Sequence, residues 1–106
     1  MIYQLGRLVK DVNLTTTDIN GAEKKVFNNV LAIRIDQEKT AYIDVTAWGN
    51  VAENLSKYFK KGNEVLLRGE IRNKKNTIEG KEINVVFMLI TGFEFTYGNK
   101  KEQENI

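Results

Sequence analysis

Residues 41–62, AYIDVTAWGNVAENLSKYFKKG, change their period halfway along. Ala41, Ile43, Val45 and Ala47 alternate with Tyr42, Asp44, Thr46 and Trp48. The first eight residues therefore read as a strand with one apolar, core-facing side. After Gly49 the repeat is helical: Ala52, Leu55 and Phe59 recur at three- and four-residue spacing. Asn50 with Glu53 three residues on has the form of a capping box. Lys60-Lys61-Gly62 supplies a basic last turn and a stop. The spacing predicts a helix over 51–61, fed directly by a strand. The strand poses a question of its own. Its polar side carries Tyr42 and Trp48, the chain's one tryptophan.

Upstream, Ile2–Val12 reads as a first strand, with Gly6 marking a bulge or a close backbone approach. A polar connector, Asn13–Glu23, contains the turn signal Asn20-Gly21. Val26–Ile35 reads as a second strand, and Asp36–Lys39 as a polar link into the quoted stretch. Downstream, Val65–Arg72 alternates as a fourth strand. The segment 73–82, NKKNTIEGKE, reads as a long basic hairpin tip. The last strand spans Ile83–Phe95 and is apolar on both sides. The order is three strands, a helix, then two strands joined by a hairpin. That order predicts an all-β fold: a five-stranded Greek-key barrel of the OB type, its short helix between strands 3 and 4. Residues 1–97 form the expected domain, and 98–106 a short polar tail.

Composition removes several chemistries. With no Cys and no His in 106 residues, disulfides, thiolate or imidazole metal sites and His-based nucleophile systems are excluded. A length of 106 residues suits one modest core. Sixteen basic against fourteen acidic residues leave a net charge of +2, which names no partner. Met1–Lys10, broken by Gln4, Gly6, Arg7 and Lys10, does not read as a signal peptide. No apolar run approaches the length of a membrane span. The expectation is a soluble cytoplasmic protein with no cofactor, no metal, no small-molecule substrate and no membrane partner.

The polar-side rings admit two readings. Another element or subunit could cover them, since exposed aromatics often mark protein interfaces. Alternatively they are platforms for nucleobases, because the third strand of such a barrel belongs to its oligonucleotide-binding surface. Tyr42 and Trp48 are six residues apart, roughly 20 Å along a strand. That span suits a continuous single strand, whose bases each gain roughly 1–3 kcal/mol by stacking on a ring. Cations for the phosphates are at hand. Between Val45 and Lys81 there are eight basic residues and four acidic ones. The expected backbone and groove contacts are Arg34, Thr46, Lys57, Lys61, Arg72, Lys74, Lys75, Asn76 and Lys81.

Residues 40–75, TAYIDVTAWGNVAENLSKYFKKGNEVLLRGEIRNKK, together with GRLVKD at 6–11, resemble the bacterial-type single-stranded DNA-binding proteins. The similarity runs over about residues 1–97. It implies an OB-fold that binds and protects single-stranded DNA with little sequence preference during replication, recombination or repair. It also implies nucleoid association and a homotetramer rather than a dimer. Tyr42 and Trp48 fall on two of the family's base-stacking positions. Arg72, Lys74 and Lys75 fall on its basic hairpin, and Lys61 on a basic position after the helix. Tyr58 matches an aromatic read as structural. Aromatics usual near Gln37 and Asn76 are missing, and Asp44 stands where the family has a neutral or basic residue. These departures predict weaker binding or a smaller footprint than is typical. The family commonly finishes with a long linker and an acidic tip, whereas the expectation for KKEQENI is an ordinary polar terminus. Glu102, Glu104 and Ile106 are a faint echo, and a phage or mobile-element origin would fit so short a chain.

Other roles compete. A protein-interaction or primosome-type OB protein would account for Asp44 and the missing rings, but not for the basic hairpin. An enzyme would have to rely on Glu79–Lys81, whose E-x-K spacing is common by chance and lies on a loop tip; no enzymatic activity is expected. Stacking does not inspect the 2′-OH, so the residues alone leave RNA open as a ligand. The last strand places Asn84, Val86, Met88 and Ile90 on one face and Ile83, Val85, Phe87 and Leu89 on the other. A small barrel has only one inside, so the surplus apolar face predicts a subunit contact.

Overall fold

The computed structural model describes residues 1–96. Seven elements follow in order: β1 (Ile2–Leu8), β2 (Leu14–Ile19), β3 (Ala22–Arg34), β4 (Thr40–Trp48), α1 (Gly49–Tyr58), β5 (Glu64–Ile78) and β6 (Lys81–Glu94). The sheet order is β1-β5-β6-β4-β3-β2, and a further β1–β3 pairing closes the ring. The closed part is thus the expected five-strand barrel. The sheet nevertheless has six strands, not five.

The extra strand is β2, within what reads from sequence as a connector. It pairs with the first half of β3 through Leu14↔Phe27 to Ile19↔Ala22, around the Asn20-Gly21 turn. Asn20 and Gly21 both take positive φ, 54° and 80°, as a two-residue type I′ turn demands. The second half of the same β3 edge closes the barrel against β1 at Arg7↔Ala32 and Leu8↔Leu31. β1 ends at Leu8 rather than Val12, although the Val9 amide still donates to the Val30 carbonyl of β3 at 2.9 Å.

Inside the ring, Leu8, Phe27, Leu31, Val45, Ala47, Val65, Leu67, Met88 and Ile90 form one buried cluster. Helix α1 closes it from one end with Ala52, Leu55 and, just beyond its last turn, Phe59. Gly6 lets β1 meet β3: a methyl group there would lie 2.6 Å from the Ala32 carbonyl oxygen. The expected close approach at Gly6 is present. Asn29 is the one buried polar side chain among the described residues. Its Oδ1 accepts from the Lys10 and Val30 amides, and its Nδ2 donates to the Lys10 carbonyl. Three of the amide's four hydrogen-bonding positions are thus filled within the protein, in keeping with its burial.

The helix starts two residues earlier than the capping signature suggests. Trp48 is the N-cap and makes no side-chain cap bond. Glu53, instead of completing a capping box, pairs with Lys25 at 3.1 Å. The helix also ends before Lys61, at Tyr58, because Phe59 turns extended and packs on Phe93 and Phe95. Tyr58, read as structural, is half exposed and meets Phe95 edge-on.

Segment 73–82 is not a loop. β5 and β6 remain paired from Leu66↔Glu94 to Ile78↔Lys81, so a two-stranded ribbon runs to a turn at Glu79-Gly80. Glu79 and Gly80 have φ of 52° and 78°. Glu79, half of the E-x-K match, is thus a turn residue. The tail, and the domain boundary expected after Tyr97, lie outside the described residues. No described helix is long and apolar enough to cross a membrane.

Candidate nucleic-acid interface

The alternation in β4 is realised as read. Val45 and Ala47 are buried, while Tyr42 is 65% and Trp48 40% exposed. Residues directly opposite in paired strands share a face, so the register extends this face across the sheet. Tyr42, Asp44, Thr46 and Trp48 stand opposite Ala32, Val30, Asn28 and Val26 of β3. On the other side, Asp44 and Thr46 pair with Phe87 and Leu89 of β6. Phe87 in turn stands opposite Arg72 of β5, Val85 opposite Lys74, Ile83 opposite Asn76 and Lys81 opposite Ile78. One row therefore reads Val30, Asp44, Phe87, Arg72.

This geometry gathers Tyr42, Thr46, Trp48, Arg72, Lys74, Asn76 and Lys81 on one side of the sheet. Thr46 Oγ1 donates to Asn28 Oδ1 at 2.8 Å. Lys74 Nζ sits 5.5 Å from the Phe87 ring centre, within cation–π range. Arg72 is engaged locally, its Nε donating to Glu70 Oε2 at 3.1 Å. The guanidinium lowers the Glu70 carboxyl pKa from its usual 4.5, mainly through this hydrogen bond and then through charge.

Four expected contacts fall elsewhere. Lys75 pairs with Asn84 and so points from the opposite side of the ribbon. Lys57 lies in the last turn of α1 with its Nζ 5.2 Å from the Tyr58 ring centre. Lys61 belongs to the turn after the helix, where the Gly62 amide donates to the Leu8 carbonyl. Arg34, at the far end of β3, makes a long 3.4 Å bond to the Asp36 carbonyl. It lines a separate cavity of about 630 Å³ with Gln4, Arg7, Gln37 and Glu64.

Two residues join the face that sequence reasoning did not assign to it. Phe87 is a third ring, partly exposed, between the β4 aromatics and the basic ribbon. Its alternation is visible in the sequence, but neither the face of the last strand that lies inside the barrel nor the register with β4 can be read from one strand. Lys10 lines a depression of about 280 Å³ together with Asn28, Asn29, Asp44, Val45, Thr46 and Lys74. Tertiary links bring it there, from Asn29 to the Lys10 backbone and from the Val9 amide to the Val30 carbonyl.

Such a face combines flat apolar rings with ammonium and guanidinium groups and has the makings of a track for an unpaired polynucleotide. The model of the family described as "Single-strand binding protein family" matches residues 2–95. "Single-stranded DNA-binding protein 1" of Streptococcus pyogenes serotype M6 is 31% identical over 96 residues, 88% of this chain and 73% of that protein. "Single-stranded DNA-binding protein" of Treponema pallidum is 28% identical over 98 residues, covering 88% and 55%. The protein of the same name from Fusobacterium nucleatum is 33% identical over 54 residues, 51% of this chain and 35% of that one. The chain thus spans between about a third and three quarters of the length of these relatives.

Proposed function

The chain belongs to the single-strand binding protein family, and from that premise we propose that it binds and protects single-stranded DNA during replication, recombination or repair. Bases stack on Tyr42 and Trp48, and the backbone follows Thr46, Arg72, Lys74, Asn76 and Lys81. The observation that carries this reading is the outward pair Tyr42 and Trp48 on β4, joined through Phe87 to the cations of β5. Stacking on rings is indifferent to base identity, which supports broad sequence tolerance. The described residues contain no group of three or more acids that could hold a metal ion, and the proposal needs no catalytic step. Assembly into a homotetramer and association with the nucleoid belong to the same proposal. Exposed Tyr3 and Leu5 on the outer side of β1 support a subunit contact.

A titration of Trp48 fluorescence tests the reading, using single-stranded DNA of increasing length, with duplex DNA and single-stranded RNA as controls. Quenching that saturates with single strands and is weak with duplex is the expected result. An indole that responds to none of these ligands would overturn the proposal and favour a protein-interaction role.

A further inference from the structure

We propose that Asp44 makes this face discriminate among bases, favouring those that carry an exocyclic amine, and cytosine over thymine in particular. The inference rests on the single-strand reading of the same face and deepens it. Asp44 stands on the same side of β4 as Tyr42 and Trp48 and is in register with the Phe87 ring. It is exposed, and among the described residues its carboxylate takes part in no hydrogen bond or ion pair. A free acceptor therefore sits between base platforms.

The surroundings leave that acceptor open to a base edge. Asp44 lines the 280 Å³ depression with Lys10, Asn28, Thr46 and Lys74. The two ammonium groups keep the depression from being a purely negative site that would repel phosphates. Asn28 uses its Oδ1 to accept from Thr46, leaving its amide donors for other partners. A carboxylate can only accept. It suits the N4 amine of cytosine and opposes the O4 carbonyl of thymine, which is itself an acceptor. Both are small pyrimidines of similar shape, so a ring platform alone hardly separates them.

The test compares dC and dT homopolymers of equal length, titrated against the wild-type protein and Asp44→Asn. Removing the charge shifts affinity for both polymers alike, so the ratio between them isolates the hydrogen bond. The wild type is expected to favour dC roughly three- to tenfold. Asp44→Asn, which can donate as well as accept, is expected to bring the ratio close to one while still binding dT. Equal wild-type affinities, or a ratio untouched by the substitution, would overturn the proposal while dT binding kept the single-strand reading intact. Loss of binding to both polymers by the wild type would overturn both.

Discussion

At the scale of single residues, exposure decides which side chains act. Trp48 is both a half-exposed ring and the N-cap of α1, but it caps with its backbone alone. Trp48→Ala should therefore weaken single-strand binding by about 1–3 kcal/mol and leave the circular dichroism spectrum of the fold unchanged. Unaltered affinity would remove the ring from the site. Arg72 presents the opposite situation, a cation already held by a neighbour. Glu70→Gln should free it for a phosphate, raising affinity and steepening the salt dependence by about 0.7 for the one phosphate gained. The sign of the pH effect follows from the depressed Glu70 pKa. The ion pair is present above the ordinary glutamate value of 4.5 and is lost as pH falls through the lower folded value. Acidification therefore releases Arg72 only below the usual carboxylate range. Titrating affinity downward from neutral pH checks this, and Glu70→Gln should lack the acid-range gain.

At the scale of elements, the ribbon of β5 and β6 has two distinct sides. Lys74 shares its side with Arg72 and Phe87, whereas Lys75 lies on the other. Lys74→Ala should flatten the slope of affinity against salt, and Lys75→Ala should change it far less; equal effects would mean that both sides touch the backbone. β1 offers a stability test. Gly6→Ala should cost about 1–3 kcal/mol in urea unfolding, because the Ala32 carbonyl occupies the space a methyl needs. These elements differ in how legible they were. β4 and the helix could be read because burial on one side imprints a period on the sequence. β2 could not: Leu14-Thr15-Thr16-Thr17-Asp18-Ile19 is largely exposed, and without a core side no apolar alternation is selected. The outer ribbon was missed for the same reason, since every residue from Ile71 to Ile78 is exposed. The turns Asn20-Gly21 and Glu79-Gly80 mark where both hairpins reverse, and only the first has a sequence signature. Lys75 and Lys74 looked equivalent as neighbours in sequence; pleating separates them.

At the scale of the whole molecule, the face proposed for DNA and the surface proposed for subunits are different. The sequence predicts that the surplus apolar side of β6 meets a partner without saying which side that is, and the register places Phe87 and Leu89 beside Asp44 and Thr46. Tyr3 and Leu5 are the better candidates for a subunit contact. Light scattering should find an oligomer that Leu5→Asp dissociates toward monomer, and a wild-type monomer would refute the assembly. The Asn29 clasp carries a last consequence. A cask leaks first at its shortest joint, and here that joint is β1 against β3, reinforced by Asn29 gripping the Lys10 backbone. The same asparagine also borders the hollow beneath Asp44. A cargo lodged there would act as a cork: deuterium uptake at Leu8, Val9 and Lys10 should slow when the strand is loaded.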